Sequence, residues 1–363
     1  MHFDGTATSW ARRTALLFAL FLPGCSTLGT QLIGNGRAAY NEIIRRTDDE
    51  QLLGLIVRTR YGESSGLLAV TSVTANVRVR GSIGGELGIG PDASFAGNLV
   101  PLSAGAVYEE NPTISYAPLQ GERFTRQLLS PLPVEILALF ARALRGSELT
   151  LGLFAEQINT LRNPLYDVPV EQRAGFERVA RQIAGLERDG IAEWWVDPEP
   201  PHDAKLVLSC DAPEPCARVR ELMEALGLAA PADPVGPRVA LPVRLGVPSG
   251  EPLRLDIQTR SLFDVITIAA ARVEVPEPDL REGRADPRYE RVSAPADFLR
   301  IHSSEKRPEN ATVAVRHRGA WFYIDDADAS SKFAFRILGS LLAMRLAEAA
   351  PATAPMLTIP ASR

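Results

Sequence analysis

The sequence predicts an α+β fold of two or three small mixed domains with mainly antiparallel strands and amphipathic helices. Two patterns predict it. Short stretches that alternate apolar and polar residues, the period of a half-exposed strand, are interleaved with stretches of helical period. The strand-like stretches also fall in neighbouring pairs joined by short turns, as in "ATVAVRHRGAWFYIDD" with Gly319 near the turn, which reads as antiparallel pairing.

Taken in order, "AAYNEIIRRTDDEQLLGLIVRTRYG" reads as two helices, the second capped by Asp48 or Asp49 with Leu52, Leu53, Ile56 and Val57 on one face. Val73, Ala75, Val77 and Val79 then alternate with polar residues as a strand. The glycines from Gly81 onward lack the Gly-Lys-Ser/Thr ending or G-x-G-x-x-G spacing of a phosphate loop and read as a turn or strand edge. "GAVYEENPTISYAPLQGERFTRQLLSPLPVEILALFARAL" predicts a strand, a turn through Pro118, and helices split by Pro131 and Pro133. The second helix turns Val134, Ile136, Leu137 and Phe140 to the core. "ELTLGLFAEQINTLRNP" reads as a further strand, closing a domain over 36–165.

A middle unit over 166–235 follows: a polar helix from Val170 to Arg188, strands "AEWWVD" and "AKLVLSC", a helix "ARVRELMEALGLA", and a boundary in "AAPADPVGP". The segment 236–363 opens with strand residues Leu253, Leu255 and Ile257 and a helix capped by Ser261. It continues with "DFLRIHSS" and the hairpin, then "KFAFRILGSLLAMRLAEA" capped by Asp328, Ser330 or Ser331, and a final strand "PMLTIPAS".

The beginning of the chain carries an address. Arg12 and Arg13 precede an apolar segment from Thr14 to Leu22. It is far shorter than the roughly 20 residues that cross a bilayer as a helix. That layout is a secretory signal over 1–24. Leu22-Pro23-Gly24-Cys25 resembles the bacterial lipobox, which implies lipid attachment at Cys25, cleavage before it and a lipidated tether over 25–35. Each buried methylene contributes about 0.8 kcal/mol, so several acyl chains anchor permanently. Ser26, where an Asp would stand otherwise, resembles the sorting state for the outer membrane of a Gram-negative bacterium.

Removing Asp4, Arg12 and Arg13 with the signal leaves 37 basic against 43 acidic residues, net −6, with no concentrated basic face, so nucleic acid is not an expected partner. The 45% hydrophobic content and the lack of low-complexity tracts describe a globular chain. "YNEIIRRTDDEQLLGLIVRTRYG", "ENPTISYAPLQGERF" and "WFYIDDADASSKFAF" resemble segments of a group of proteobacterial lipoproteins of uncharacterised activity. That resemblance implies a lipoprotein and adds no chemistry.

In an oxidising compartment Cys210 and Cys216 favour a disulfide. The rival, a metal site with His202 as the nearby imidazole, lacks a zinc ligand set. His302 with Ser303, Ser304 and Glu305 has the residue types of a triad but no nucleophile elbow, and His302 and His317 are expected on adjacent strands of one hairpin. Asp325, Asp326 and Asp328 have metal-ligand chemistry, but their place before a helix explains them as caps, and no metal or cofactor is expected. Glu109, Glu110 and Glu122, near Tyr108 and Tyr116, supply carboxylates for glycosidase chemistry if a cleft brings two together. Trp321 and Tyr323 share one strand face with Phe322 on the other, a core arrangement. Trp194 and Trp195 cannot both point inward on one strand, so one of them, with Tyr116, is a candidate contact for sugar, lipid or protein. The expected role is that of an anchored periplasmic lipoprotein acting as a binding or scaffold component of an envelope complex. The alternatives are a cell-wall hydrolase using paired carboxylates, with Glu109, Glu110, Glu122, Asp325 or Asp326 as acid and base, and a carrier of lipid or small ligands.

Overall fold

The computed structural model describes residues 25–63, 67–74, 77–85, 102–110, 113–119, 121–144, 146–166, 170–229, 238–293, 298–349 and 357–360, with side chains described from 41–63, 121–144, 146–166, 173–229, 238–293 and 298–347. Residues 22–24, which with Cys25 resemble a lipobox, lie outside them.

Helix α1 runs unbroken over Cys25–Arg60. The expected division at Asp48 and Asp49 does not occur, because Arg45–Asp49 and Arg46–Glu50 ion pairs at i,i+4 carry the acidic run through the helix. The segment expected as a tether is the first part of this helix. Strands β1 (Leu67–Thr74), β4 (Thr113–Leu119) and β14 (Leu357–Pro360) form one antiparallel sheet, and β2 (Val77–Gly85) pairs with β3 (Leu102–Glu110). Pro118, expected in a turn, stands inside β4; β14 reaches only to Tyr116, so Pro118 has a ladder partner on the β1 side alone.

Helices α2 (Glu122–Leu129) and α3 (Val134–Leu144) flank the predicted proline break. The next stretch, expected as a strand, is helix α4 (Ser147–Phe154) turning into β5 (Ala155–Ile158). What fixes this helix is remote. Its last carbonyls, orphaned as at any helix end, accept from the buried Arg260 guanidinium at Gly152 and Leu153, from the Arg260 backbone N–H at Phe154, and from Asn163 Nδ2 at Gly152 and Ala155.

A short β6 (Leu161–Arg162) precedes α5 (Val170–Arg188), β7 (Ala192–Val196), β8 (Ala204–Ser209) and α6 (Pro213–Ala225). Strands β9 (Arg238–Leu245) and β10 (Leu255–Thr259) complete a six-stranded sheet of order β6-β5-β10-β9-β8-β7, in which only the β9–β10 pair is parallel. Leu253, expected in the strand, lies before β10 and is exposed. One sheet therefore takes strands from all three segments read as domains, and one buried core runs from Leu52 to Leu342; the expected boundaries at 165 and 235 fall between strands of the same sheet. Alternation along β7, β8 and β9 turns Trp194, Leu206, Leu208, Leu241 and Val243 to the core and Glu193, Trp195, Lys205 and Arg244 the other way.

Ser261 caps α7 (Leu262–Ala270) in a reciprocal capping box with Asp264, as its sequence position predicts. After α8 (Glu277–Arg281) and a 3₁₀ turn (Pro287–Arg291) come β11 (His302–Ser304), β12 (Ala311–His317) and β13 (Ala320–Asp325), in the order β11-β13-β12. Arg318 and Gly319 both have positive φ, the backbone of a tight two-residue hairpin turn. His302 and His317 thus lie on opposite flanks of β13, not on adjacent strands. Asp328 caps α9 (Ala329–Ala349) by accepting from the Ser331 N–H. No helix among the described residues is long and apolar enough to cross a membrane.

Candidate binding surface at the edge of the sheet

The two tryptophans separate as alternation requires. Trp194 is 1% exposed and its indole donates to Ser147 Oγ, so it is a core residue and not a contact residue. Trp195 is 41% exposed on β7, an edge strand.

Three neighbours hold the Trp195 ring. Its Nε1–H donates to Asp197 Oδ1 at 2.9 Å. Lys205, its partner across the β7–β8 ladder, donates to the other oxygen of Asp197 at 2.9 Å. The Arg142 guanidinium of α3 stands 5.2 Å from the ring centroid and reaches Glu193, the next outward residue of β7, at 3.5 Å. The Lys205 ammonium first, and the Trp195 indole second, hold the Asp197 carboxyl below its ordinary range. The result is a large amphipathic ring fixed in one orientation, flanked by charges of both signs, on the strand that ends the six-stranded sheet among the described residues. Asp197 follows directly after β7, two positions from Trp195, whereas Arg142 lies 53 positions upstream and carried no local signal.

The other candidates disperse. His302 Nδ1 lies 3.2 Å from Glu274 Oε2, and Ser304 donates to the Lys306 carbonyl, so no hydroxyl, imidazole and carboxylate align as a triad. Asp325 accepts from the Ala327 N–H, Asp326 binds Lys332 and Thr312, and Asp328 caps α9: three local tasks in place of one metal centre. No three of His, Cys, Asp or Glu among the described residues converge to hold a metal ion. Glu122 is exposed in an i,i+4 pair with Arg126. Tyr116 on β4 and Glu109 and Glu110 on β3 are placed by backbone alone; their side chains, like that of Cys25, lie outside the description. Cys210 and Cys216 form the expected disulfide.

A polar cluster that the sequence did not reveal closes the end of α1. The Tyr61 hydroxyl donates to Asp279 Oδ2 at 2.7 Å, and Arg284 donates to Oδ1 at 2.9 Å. Arg318 stacks on Tyr61 at 5.4 Å and donates to Glu63 at 2.7 Å. The His317 ring packs edge-on against Tyr61. Burial, then the Asp279 hydrogen bond, raises the Tyr61 hydroxyl above its ordinary pKa. Burial pushes the Asp279 carboxyl upward, but the bonds from Tyr61 and Arg284 outweigh it, so its pKa is lowered. A carboxyl lowered on folding contributes stability that is complete above its unfolded pKa, about 3.9, and is lost as pH falls through the folded value. Asp279→Asn is therefore expected to lower stability at pH 7 by about 1–3 kcal/mol. It should also flatten the loss of thermal stability below about pH 4. Urea unfolding at neutral pH with an unchanged midpoint would refute this.

Compared with protein-family models, with curated proteins and with solved structures, the chain finds no match.

Proposed function

We propose that this protein is a lipoprotein held at the periplasmic face of the outer membrane through Cys25, and that it serves as a binding or scaffold component of an envelope complex. The observation that carries the binding role is Trp195. Tryptophan and arginine are enriched among the few residues that dominate protein interfaces. A ring already fixed by Asp197 and Arg142 loses little further freedom on association. The edge of β7 and the flanking Glu193 and Lys205 supply the polar rim. The lipobox supports the address.

Crosslinking and affinity capture of the tagged protein from detergent-solubilised membranes, with labelled palmitate, tests both parts. Cys25→Ser is expected to lose the label and the partner; Trp195→Ala is expected to keep the label and lose the partner. Label entering Cys25→Ser defeats the anchor, and undiminished partner recovery with Trp195→Ala defeats the surface.

A further inference from the structure

Helices α5 and α6 leave between them a groove of about 690 Å3. Its floor includes Gly175, Gln182, Gly185 and Leu186, and its walls carry Arg178, Arg181 and Arg218, with Glu221 as the acidic member. The lining positions recur at helical spacing along α5 from Ala174 to Leu186, about 18 Å at 1.5 Å per residue, so the groove is long as well as open.

Two features point to an occupant. The charges are unequally satisfied: Arg218 is paired with Asp189 at 2.7 Å and approaches Glu214 at 3.7 Å, whereas Arg178 and Arg181 meet no carboxylate among the described residues. Arg181 only donates through Nε to the Glu177 carbonyl, at 3.3 Å. Finally, packing does not demand the glycine at 185. A Cβ there meets Arg218 Nη2 at 3.8 Å, an ordinary contact, whereas at Gly175 it meets Leu161 at 3.2 Å. The bare floor at 185 keeps the groove deep.

From this geometry we infer that the α5–α6 groove binds an extended acidic segment of another protein. Arginine forks pair bidentately with carboxylates, which gives Arg178 and Arg181 their partners. At about 3.3 Å per residue, five or six extended residues span the groove. A compact anion fills only one end of it. The surface is made of different residues from the Trp195 edge, and the inference stands without it.

The test is fluorescence polarisation of a labelled, N-acetylated, C-amidated hexaglutamate peptide with the full mature chain in detergent at low salt. Saturable binding is expected, weakened about tenfold or more by either Arg178→Glu or Arg181→Glu made singly. Arg220→Glu, the same charge change at an exposed position of α6 outside the groove, is the control and should shift binding less than about twofold. Gly185→Ala is expected to weaken binding while the thermal midpoint stays the same or rises, because alanine favours the helix. Four results overturn the inference: no saturable binding; equal loss with Arg220→Glu, which means bulk charge alone; displacement of the peptide by equimolar inorganic phosphate; or phosphatidylglycerol vesicles that bind the chain and are released by Arg178→Glu, which means a lipid headgroup.

Discussion

Trp194→Ala is expected to destabilise the fold by about 3–5 kcal/mol, the range for truncating a large buried aromatic whose site cannot collapse. Trp194 is among the largest fully buried side chains, and it lies where three elements meet. Its indole N–H donates to Ser147 Oγ at 2.7 Å, and Ser147 at the start of α4 donates through its hydroxyl to Glu187 Oε1 at the end of α5. Truncation opens a cavity under β7 and removes one member of that chain, leaving Ser147 still bound to Glu187. Trp194→Phe should fall between, since it keeps most of the volume and loses the donor. Trp195→Ala, one residue away, should cost no more than about 1 kcal/mol, the scale of a partly exposed cation–π contact and hydrogen bond. Urea unfolding of the three variants measures this; equal midpoints for Trp194→Ala and Trp195→Ala would contradict the separation of core and surface on β7.

Arg260→Met is expected to cost about 3 kcal/mol or more, because buried acceptors left without donors bear their full desolvation penalty, about 1–3 kcal/mol each. The guanidinium is 3% exposed and donates to the carbonyls of Gly152, Leu153 and Asn163. Two of these belong to the last turn of α4, where a cation also meets the negative end of the helix dipole. Burial draws the Arg260 pKa down to about 10, so the charge is held at a cost and is retained for its fork of donors. Arg260→Lys should rescue only part of the loss, since an ammonium is a point charge without that fork. A chemical-denaturation midpoint for Arg260→Met within error of the parent would remove Arg260 from its capping role.

Local physics explains which elements were legible. Ser261 with Asp264 forms a cap within four residues, Asp328 does the same for α9, and the β12–β13 turn needs only Arg318 and Gly319; each is written in adjacent positions. The alternation along "AEWWVD" forced one tryptophan outward, and the sheet chose Trp195. What was illegible depends on distant partners. "ELTLGLF" is an apolar run compatible with strand or helix, and its helical state is secured by Arg260, more than a hundred positions later. The same holds for the sheet: turn-rich stretches near 165 and 235 separate segments in sequence, while β10 lies between β5 and β9 and joins strands that are distant in sequence. At the candidate site the sequence exposed the ring but not its clamp, because Arg142 arrives from another helix.

The fastening of α1 has a mechanical meaning. The helix starts at Cys25, and its described buried side chains begin at Leu52, with Leu53, Ile56 and Val57 in the core. Beyond them Arg60 donates to the Asp286 carbonyl, Tyr61 to Asp279, and Arg318 to Glu63. A tug on the N-terminal end of α1 travels down the helix and reaches the remainder of the protein as strain on this seam, where several bonds share it. Under such a load this seam is a joint between α1 and the residues from Asp279 to Arg318.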